Sequence, residues 1–167
     1  WQLTPFEFAA FLPIWVSNDT IAFDSYYQNL FLVLHTINLT DPTLQPTMFE
    51  ADGFNISLFS ETGESNGPDG VLEWAWSPDG SRVAFAGQRD EVLYVANHDG
   101  SDLTALVNAS VLEENPNRVE GYPSLVNTIS WSHDGQEIMF GLGNWRYDSS
   151  QWYYIVGANG EGLRRAP

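Results

Sequence analysis

The sequence predicts an all-β protein built from repeated four-stranded antiparallel sheets. Short runs of β-branched, aromatic and aliphatic residues alternate with turn residues roughly every eight to twelve positions, as in all-β domains. Helical periodicity is nearly absent. The chain also repeats itself, since two segments with one shared pattern lie 55 residues apart in a total of 167. A chain of this length can bury one hydrophobic core of ordinary size.

The predicted strands follow one another with little between them except turns. In chain order they are 14–16, 20–23, 30–34, 73–76, 82–85, 92–96, 128–131, 137–140 and 152–156. Only two short helical turns are expected. Residues 4–7 read Thr-Pro-Phe-Glu, with Thr as N-cap and Pro in the first helical position, and residues 110–113 carry a second capping signature that Pro116 ends.

The repeat is clearest between residues 75–85 and 130–140, where Trp, Asp-Gly and Phe coincide. A weaker third copy covers residues 13–23, in which Trp and Phe are eight positions apart instead of nine. Further along, Leu-Tyr-Val at 93–95 corresponds to Tyr-Tyr-Ile at 153–155 and is expected to correspond to Leu-Phe-Leu at 30–32. Three copies therefore cover most of the chain.

Each copy predicts a four-stranded unit. Trp ends the first strand, and a Ser-Pro-Asp-Gly turn leads to a second strand that ends on Phe. A hairpin connects the second strand to the third. An Asn/Asp-Gly turn then precedes a polar outer strand such as 103–107. A sheet with two apolar faces cannot bury both alone, so neighbouring copies must stack, as propeller blades do.

Residues 75–107 resemble the TolB-type β-propeller repeat, whose pattern runs W-S-P-D-G-x-x-[IV]-A-F, L-Y-V and N-x-D-G-S-x-L-T. The third copy replaces the turn proline with His133, and the first copy has Asn18-Asp19 in place of the turn glycine. The resemblance implies a propeller, commonly six-bladed, as in TolB and in the propellers attached to prolyl-oligopeptidase-like enzymes. Three blades are too few to close a ring, so an incomplete propeller or a fragment is expected.

The expected organisation has four parts. Residues 1–12 form an N-terminal segment with a short helical turn, and 13–72 form a divergent first blade with an insertion loop. Residues 73–127 form the second blade and a connecting loop, and 128–167 form the third blade.

Composition excludes several classes of function. The chain has 22 Asp and Glu against six Lys and Arg, all of them Arg, and a net charge of -16, which disfavours nucleic acid as a partner. The absence of Lys and Cys removes lysine-dependent and thiolate chemistry. No run reaches the roughly 18 apolar residues of a membrane span. Since H-E-x-x-H and P-loop motifs are also missing, we expect no catalytic residue, no cofactor and no metal.

Some residues invite a chemical interpretation. His98 and His133 fall in turns, where exposed side chains are more common than metal ligands or bases. Asn97, Asp99 and Asp102 have the oxygen-rich spacing of a calcium loop, but these residue types also favour tight turns and no terminal Glu follows at EF-hand spacing. We prefer the turn interpretation.

The loop predicted at 141–151 is the candidate binding feature. It contains Trp145, Arg146 and Tyr147, residue types typical of binding hot spots, and it is longer than the corresponding loop at 87–91. The alternative is that Trp145 folds back on its own blade.

Four N-x-Ser/Thr sequons mark candidate glycosylation sites at Asn18, Asn38, Asn55 and Asn108. The chain begins with Trp1 rather than Met, which suggests processing or an internal fragment. Strong acidity without lysine favours an extracellular, cell-surface or periplasmic location.

Three functions remain open at this point. The first is a non-enzymatic extracytoplasmic protein-interaction or scaffold module of TolB-like propeller type. The second is the substrate-gating propeller of a prolyl-oligopeptidase-like hydrolase whose catalytic domain lies outside these residues. The third is a structural subunit of a glycosylated extracellular assembly or filament. The expected partner is another protein or further copies of the chain, as an oligomer or as part of a longer chain.

Overall fold

A computed structural model of the chain describes residues 10–27, 31–49, 71–87, 92–108, 125–144 and 147–167. These residues form twelve strands and no helix, which confirms the all-β prediction for the part described. The two helical turns predicted at 4–7 and 110–113 lie outside it.

The strands form three four-stranded antiparallel sheets in which consecutive strands are neighbours. Sheet 1 contains β1 (Ala10–Trp15), β2 (Thr20–Tyr27), β3 (Phe31–Asn38) and β4 (Thr47–Met48). Sheet 2 contains β5 (Val71–Trp76), β6 (Arg82–Gly87), β7 (Val92–Asn97) and β8 (Thr104–Asn108). Sheet 3 contains β9 (Leu125–Trp131), β10 (Glu137–Asn144), β11 (Tyr147–Gly157) and β12 (Arg164–Arg165). The predicted boundaries at 12, 72 and 127 stay predictions.

A stacked aromatic pair recurs between the second and third strands of each sheet. Phe85 lies over Tyr94 with ring centroids 5.6 Å apart, and Phe140 lies over Tyr154 at 5.7 Å. In sheet 1 the pair is Phe23 and His35, also 5.6 Å apart. Such cross-strand pairs stabilise a sheet through close contact of their side chains.

This pair corrects one detail of the predicted repeat. His35 is opposite Phe23 in the register, as Tyr94 is opposite Phe85, so residues 34–36 correspond to 93–95. The expected correspondence with 30–32 was wrong. The reason is that β2 extends to Tyr27, beyond its predicted end, and moves the next strand four residues along the chain.

Sheet 2 is buried on both faces. We call the face of a sheet that lies toward the preceding sheet its leading face and the opposite one its trailing face. Alternate residues of β6 divide between them, since Val83 and Phe85 pack on sheet 1 while Ala84 and Ala86 pack on sheet 3. A strand buried on both sides needs a continuous apolar run, and Val83 to Ala86 provides it.

The two interfaces contain most of the described core. The buried residues between sheets 1 and 2 are Val16, Ala22, Leu34, Phe49, Trp76, Val83, Phe85 and Ala96. Those between sheets 2 and 3 are Ala84, Ala86, Leu93, Val95, Val107, Val126, Ile138, Phe140, Leu142, Tyr154 and Val156. The aromatic pairs of sheets 2 and 3 thus lie on leading faces, each covered by the trailing face of the sheet before.

The ends of the stack differ from its centre. Trp15 closes β1 on the leading face of sheet 1 and is 64% exposed, whereas its equivalent Trp76 is 9% exposed against sheet 1. On the trailing face of sheet 3, Met139 and Tyr153 are 38% and 37% exposed. Their equivalents Ala84 and Leu93 are fully buried. Sheet 2 is thus covered on its trailing face by sheet 3, whereas no described residues cover the trailing face of sheet 3 in the same way.

Candidate binding cleft between sheets 1 and 2

A cleft of about 260 Å³ opens between sheets 1 and 2, at the end of the strands where β1 turns into β2 and β3 turns toward β4. Its floor includes Trp76 and Val16, and most of the remaining lining is polar. The lining residues are Val16, Thr20, Thr36, Asn38, Asp41, Gln45, Thr47, Trp76, His98 and Asp99. Polar side chains of this kind can form hydrogen bonds that orient a bound molecule.

The turns between the first and second strands of sheets 2 and 3 are held by side-chain hydrogen bonds. In the β5–β6 turn, the Ser77 hydroxyl donates to the Asp79 carboxylate at 2.6 Å and accepts the Arg82 backbone N–H at 3.0 Å. The β9–β10 turn repeats this arrangement with Ser132 and Asp134, also at 2.6 Å. These bonds fix the conformation of each turn.

Gly80 brings the sheet 2 turn directly against sheet 1. Its φ is +70°, and a Cβ at this position would lie 1.7 Å from the carbonyl oxygen of Val16. Only glycine combines this left-handed conformation with so close an approach. The contact joins the two turns on one side of the cleft.

Trp76 carries the unusual feature of the site. Its indole Nε1 is buried and has no hydrogen-bond acceptor among the described residues. In the equivalent position of sheet 3, Trp131 donates its indole N–H to the Ala75 carbonyl of the sheet before it, at 2.9 Å. A buried donor without a partner costs about 1 to 3 kcal/mol, so native structures contain few of them.

The surroundings of Trp76 differ from those of Trp131 in two further ways. The first turn of sheet 1 is one residue shorter than its counterparts. Trp76 instead packs edge-on against Phe49, which follows β4, with ring centroids 6.3 Å apart. Phe49 also contacts Phe85 edge-on at 6.0 Å. The tryptophan is therefore fixed by aromatic packing rather than by its N–H.

Two carboxylates give the cleft negative charge. The Thr43 backbone N–H and hydroxyl both donate to Asp41 Oδ1, at 2.8 and 2.7 Å, and lower the pKa of that carboxyl. The Ser101 hydroxyl and backbone N–H donate to Asp99 Oδ1, at 2.7 and 3.0 Å, and lower its pKa in the same way. Both groups are therefore ionised at neutral pH.

No protein-family model and no curated protein sequence matches the chain. Solved structures do match its fold. TolB from Acinetobacter baumannii superposes with a TM-score of 0.52 at 15% identity, covering 88% of this chain and 29% of that one. The Pyrococcus horikoshii acylaminoacyl peptidase superposes with a TM-score of 0.55 at 10% identity, covering 97% and 25%.

A chain of a nidogen/laminin complex gives a TM-score of 0.54 at 11% identity, covering 89% of this chain and 43% of that one. The chain has a β-propeller fold. Its sheets are propeller blades, and the described part is consistent with a partial propeller. The chain spans less than half the length of these three proteins, and identities this low show the fold alone.

Tyr147, the predicted binding residue that the structure describes, begins β11 in blade 3. Asn144 and Tyr147 pair in the register of blade 3, so the loop predicted at 141–151 is mostly strand, and only 145–146 connect β10 to β11. The prediction of a long loop was wrong because both strands extend past their expected ends. The paired residues Asn144 and Tyr147 are at the opposite end of the strands from the cleft. Trp145 and Arg146 lie outside the described residues, and the binding role of all three stays a prediction.

The turn suggested as a calcium loop is held by its own hydrogen bonds. The Asn97 amide donates to Ser101 Oγ at 2.9 Å and to Asp102 Oδ2 at 2.8 Å. Within the ranges that the structure describes, no three His, Cys, Asp or Glu residues form a group able to hold a metal ion. His98 and His133 are exposed in turns, while His35 is buried in β3.

Three of the four sequons lie on described turns and strand ends. Asn18, Asn38 and Asn108 are exposed, and Asn55 is outside the described residues. Asn38 Oδ1 accepts hydrogen bonds from the backbone N–H and hydroxyl of Thr40, at 2.8 and 2.7 Å. No helix among the described residues is long and apolar enough to cross a membrane.

The sequence offered little to reveal this cleft. Its lining comes from turns of two blades that are about 60 residues apart in the repeat. The signal that the sequence did offer is the first turn, which is one residue shorter in blade 1 than in blades 2 and 3. This difference indicates that blade 1 departs from the repeat at the end of the sheet where the cleft lies.

Proposed function

We propose that the chain is a recognition module of TolB-like propeller type, which binds a protein partner outside the cytoplasm and catalyses no reaction itself. The observation that carries the proposal is the cleft between blades 1 and 2, with a buried aromatic floor and a rim of hydrogen-bonding side chains. The resemblance of residues 75–107 to the TolB-type repeat and the superposition on TolB support it.

The cleft suits recognition because its groups are held in place before a partner arrives. Asp41 and Asp99 are fixed by bonds from residues two positions further on, and the blades are joined through a continuous core. Preorganised groups lose little conformational entropy on binding, which favours affinity.

The proposal is tested by selecting binders from a displayed library of random peptides. Thr47→Arg places a bulky side chain at the exposed edge of the cleft. Its matched control is Thr104→Arg, because Thr104 has the same register position in blade 2 that Thr47 has in blade 1 and is also exposed. We expect binding by the selected peptides to fall at least about tenfold with the first variant and to be retained with the second. Equal binding to both variants would refute the cleft as the recognition site.

The absence of catalysis is tested separately with ester, peptide and phosphate substrates. We expect no turnover above that of a heat-denatured sample. Reproducible turnover that is lost on substituting His98 or His133 would overturn this part of the proposal.

A second candidate is the propeller of a hydrolase, favoured by the superposition on the acylaminoacyl peptidase. In that case the cleft would contact a peptide substrate on its way to a separate catalytic domain. A reading frame that continues into a G-x-S-x-G motif with downstream Asp and His would decide for this candidate.

A further inference from the structure

We propose that Asn159 is a modification site, at which spontaneous deamidation proceeds when the turn between β11 and β12 opens and is held back while that turn is closed. The reacting pair is Asn159-Gly160, in the turn that residues 157–161 form in blade 3. The turn lies against blade 2, since a Cβ on Gly160 would be 3.7 Å from Leu106 Cδ2 and 3.8 Å from the Leu106 carbonyl oxygen. The modification therefore records the opening of a contact between two blades.

Deamidation of this pair needs water and no enzyme. The backbone nitrogen of Gly160 loses its proton to a solvent base and attacks Cγ of Asn159, so that a new N–Cγ bond closes a succinimide ring. The Cγ–Nδ2 bond breaks, and the side-chain nitrogen leaves as ammonia after it takes a proton from water. Water then opens the ring at one of its two carbonyls, which gives aspartate or isoaspartate. Glycine favours the attack because it has no side chain beside the nitrogen.

In the closed turn the reacting groups are held by hydrogen bonds. The Gly160 N–H donates to the Gly157 carbonyl at 2.8 Å. Asn159 Oδ1 accepts the Glu161 backbone N–H at 3.0 Å, and Asn159 Nδ2 donates to the Glu161 carboxylate at 3.2 Å. Attack requires that the Gly160 nitrogen give up its bonded proton and that the Asn159 side chain leave Glu161. The closed turn therefore slows the reaction, and local opening is the step that permits it.

The corresponding turn of blade 2 shows that one of the two products fits this backbone. Asp99 occupies the equivalent position, and its Oδ1 accepts the Ser101 backbone N–H at 3.0 Å, as Asn159 Oδ1 accepts that of Glu161. The glycine that follows has a φ of +85° in both turns. Aspartate at position 159 can therefore keep the turn, because Asp and Asn both form it through a side-chain oxygen. Isoaspartate instead lengthens the main chain by one carbon, at the contact with blade 2.

The test measures deamidation at neutral pH by peptide mapping with mass spectrometry, on the folded protein and on the protein unfolded in urea. The sequence contains a second Asn-Gly pair at 66–67, which lies outside the described residues, and peptide mapping separates the two sites. We expect Asn159 to deamidate at least about tenfold more slowly in the folded protein than in the unfolded chain, because local opening has to come first.

Two leucine variants then distinguish local opening from unfolding of the whole protein. Leu106→Ala removes the side chain that meets the turn at Gly160, and it should speed deamidation of Asn159 at least about threefold. Leu103→Ala is the matched control, because Leu103 is also partly buried but packs against the core between blades 1 and 2, whereas Leu106 packs against the core between blades 2 and 3. The control should leave the rate unchanged under conditions in which both variants are folded.

Three results would overturn the inference. Equal rates in the folded and the unfolded protein would mean that the turn does not restrain the pair. A lack of deamidation at Asn159 in urea would mean that the pair is not a site. If Leu106→Ala had no effect, or if both leucine variants sped the reaction equally, the reaction would not depend on the contact between the turn and blade 2. Neither Asn159 nor Gly160 lines the cleft, so the proposed function is tested independently by the library selection.

Discussion

Replacing Gly80 with alanine should separate blade 1 from blade 2. The new Cβ would lie 1.7 Å from the Val16 carbonyl oxygen, so the two turns would have to move apart by about 1.3 Å to reach 3.0 Å. Overpacking of this kind costs about 1 to 3 kcal/mol. The left-handed backbone adds about 1 to 2 kcal/mol for any residue with a Cβ. We expect Gly80→Ala to lower the free energy of unfolding by about 2 to 5 kcal/mol, measured by urea denaturation.

The repeat supplies the control for this experiment. Gly135 is the equivalent glycine of blade 3, with φ +67°, and the nearest atom to its Cβ would be Pro78 Cδ at 3.7 Å, an ordinary contact. Gly135→Ala should therefore cost only the backbone strain, about 1 to 2 kcal/mol. If the two variants unfolded at the same urea concentration with equal slopes, the close approach of Gly80 to Val16 would not exist in the protein.

Three further predictions use the same repeat. Trp76→Phe removes a donor that has no described acceptor, which stabilises the fold, but it also removes part of a buried ring, which destabilises it, so stability should stay nearly unchanged. Trp131→Phe should cost about 1 kcal/mol more than Trp76→Phe because the Ala75 carbonyl loses its bond, and urea midpoints compare the two. Hydrogen bonds from the Ser77 hydroxyl and from the Ser81 N–H and hydroxyl lower the pKa of Asp79 from 3.8 to about 2. The ionised carboxylate therefore stabilises the fold fully above about pH 4, and this stabilisation is lost as the pH falls to about 2. The difference in unfolding free energy between the protein and Asp79→Asn should shrink over that range, and a constant difference would contradict the prediction. Because Met139 and Tyr153 are partly exposed on the trailing face of blade 3, the protein should either associate or bind an apolar dye. Light scattering over a dilution series measures association, and dye fluorescence measures the exposed apolar surface. A compact 18.7 kDa monomer that binds no dye at any concentration would refute the exposure of this face.

The fold was predictable because its determinants are local and repeated. Trp76 and Trp131 close the first strands of blades 2 and 3, and Phe85 and Phe140 occupy equivalent stacked pairs, as the 55-residue spacing indicated. The continuous apolar run from Val83 to Ala86 is typical of a strand that is buried on both faces. These features depend on residues a few positions apart, where sequence patterns are informative.

Blade 1 and the cleft were less accessible to the same reasoning. In blade 1, His35 occupies the position that a tyrosine has in the stacked pairs of blades 2 and 3. Secondary-structure propensity does not distinguish a histidine that stacks within a strand from a histidine in a turn. The cleft depends on how the Gly80 turn sits against Val16, a contact between distant residues. The length of the loop predicted at 141–151 was overestimated because its glycines and polar residues are typical of turns. Residues 141–144 instead pair with the neighbouring strands, and this pairing keeps them extended.

The unlike faces of the blades have an evolutionary consequence. A unit with an aromatic pair on one side and small aliphatic residues on the other can be joined to a copy of itself in only one direction. Tandem duplication of the coding segment therefore creates a complementary interface between the two copies in one step, because the two faces of the unit already fit each other. The exact equivalence of Phe85 with Phe140 and the looser one of Phe23 fit a history in which the copies arose in this way and the first diverged furthest.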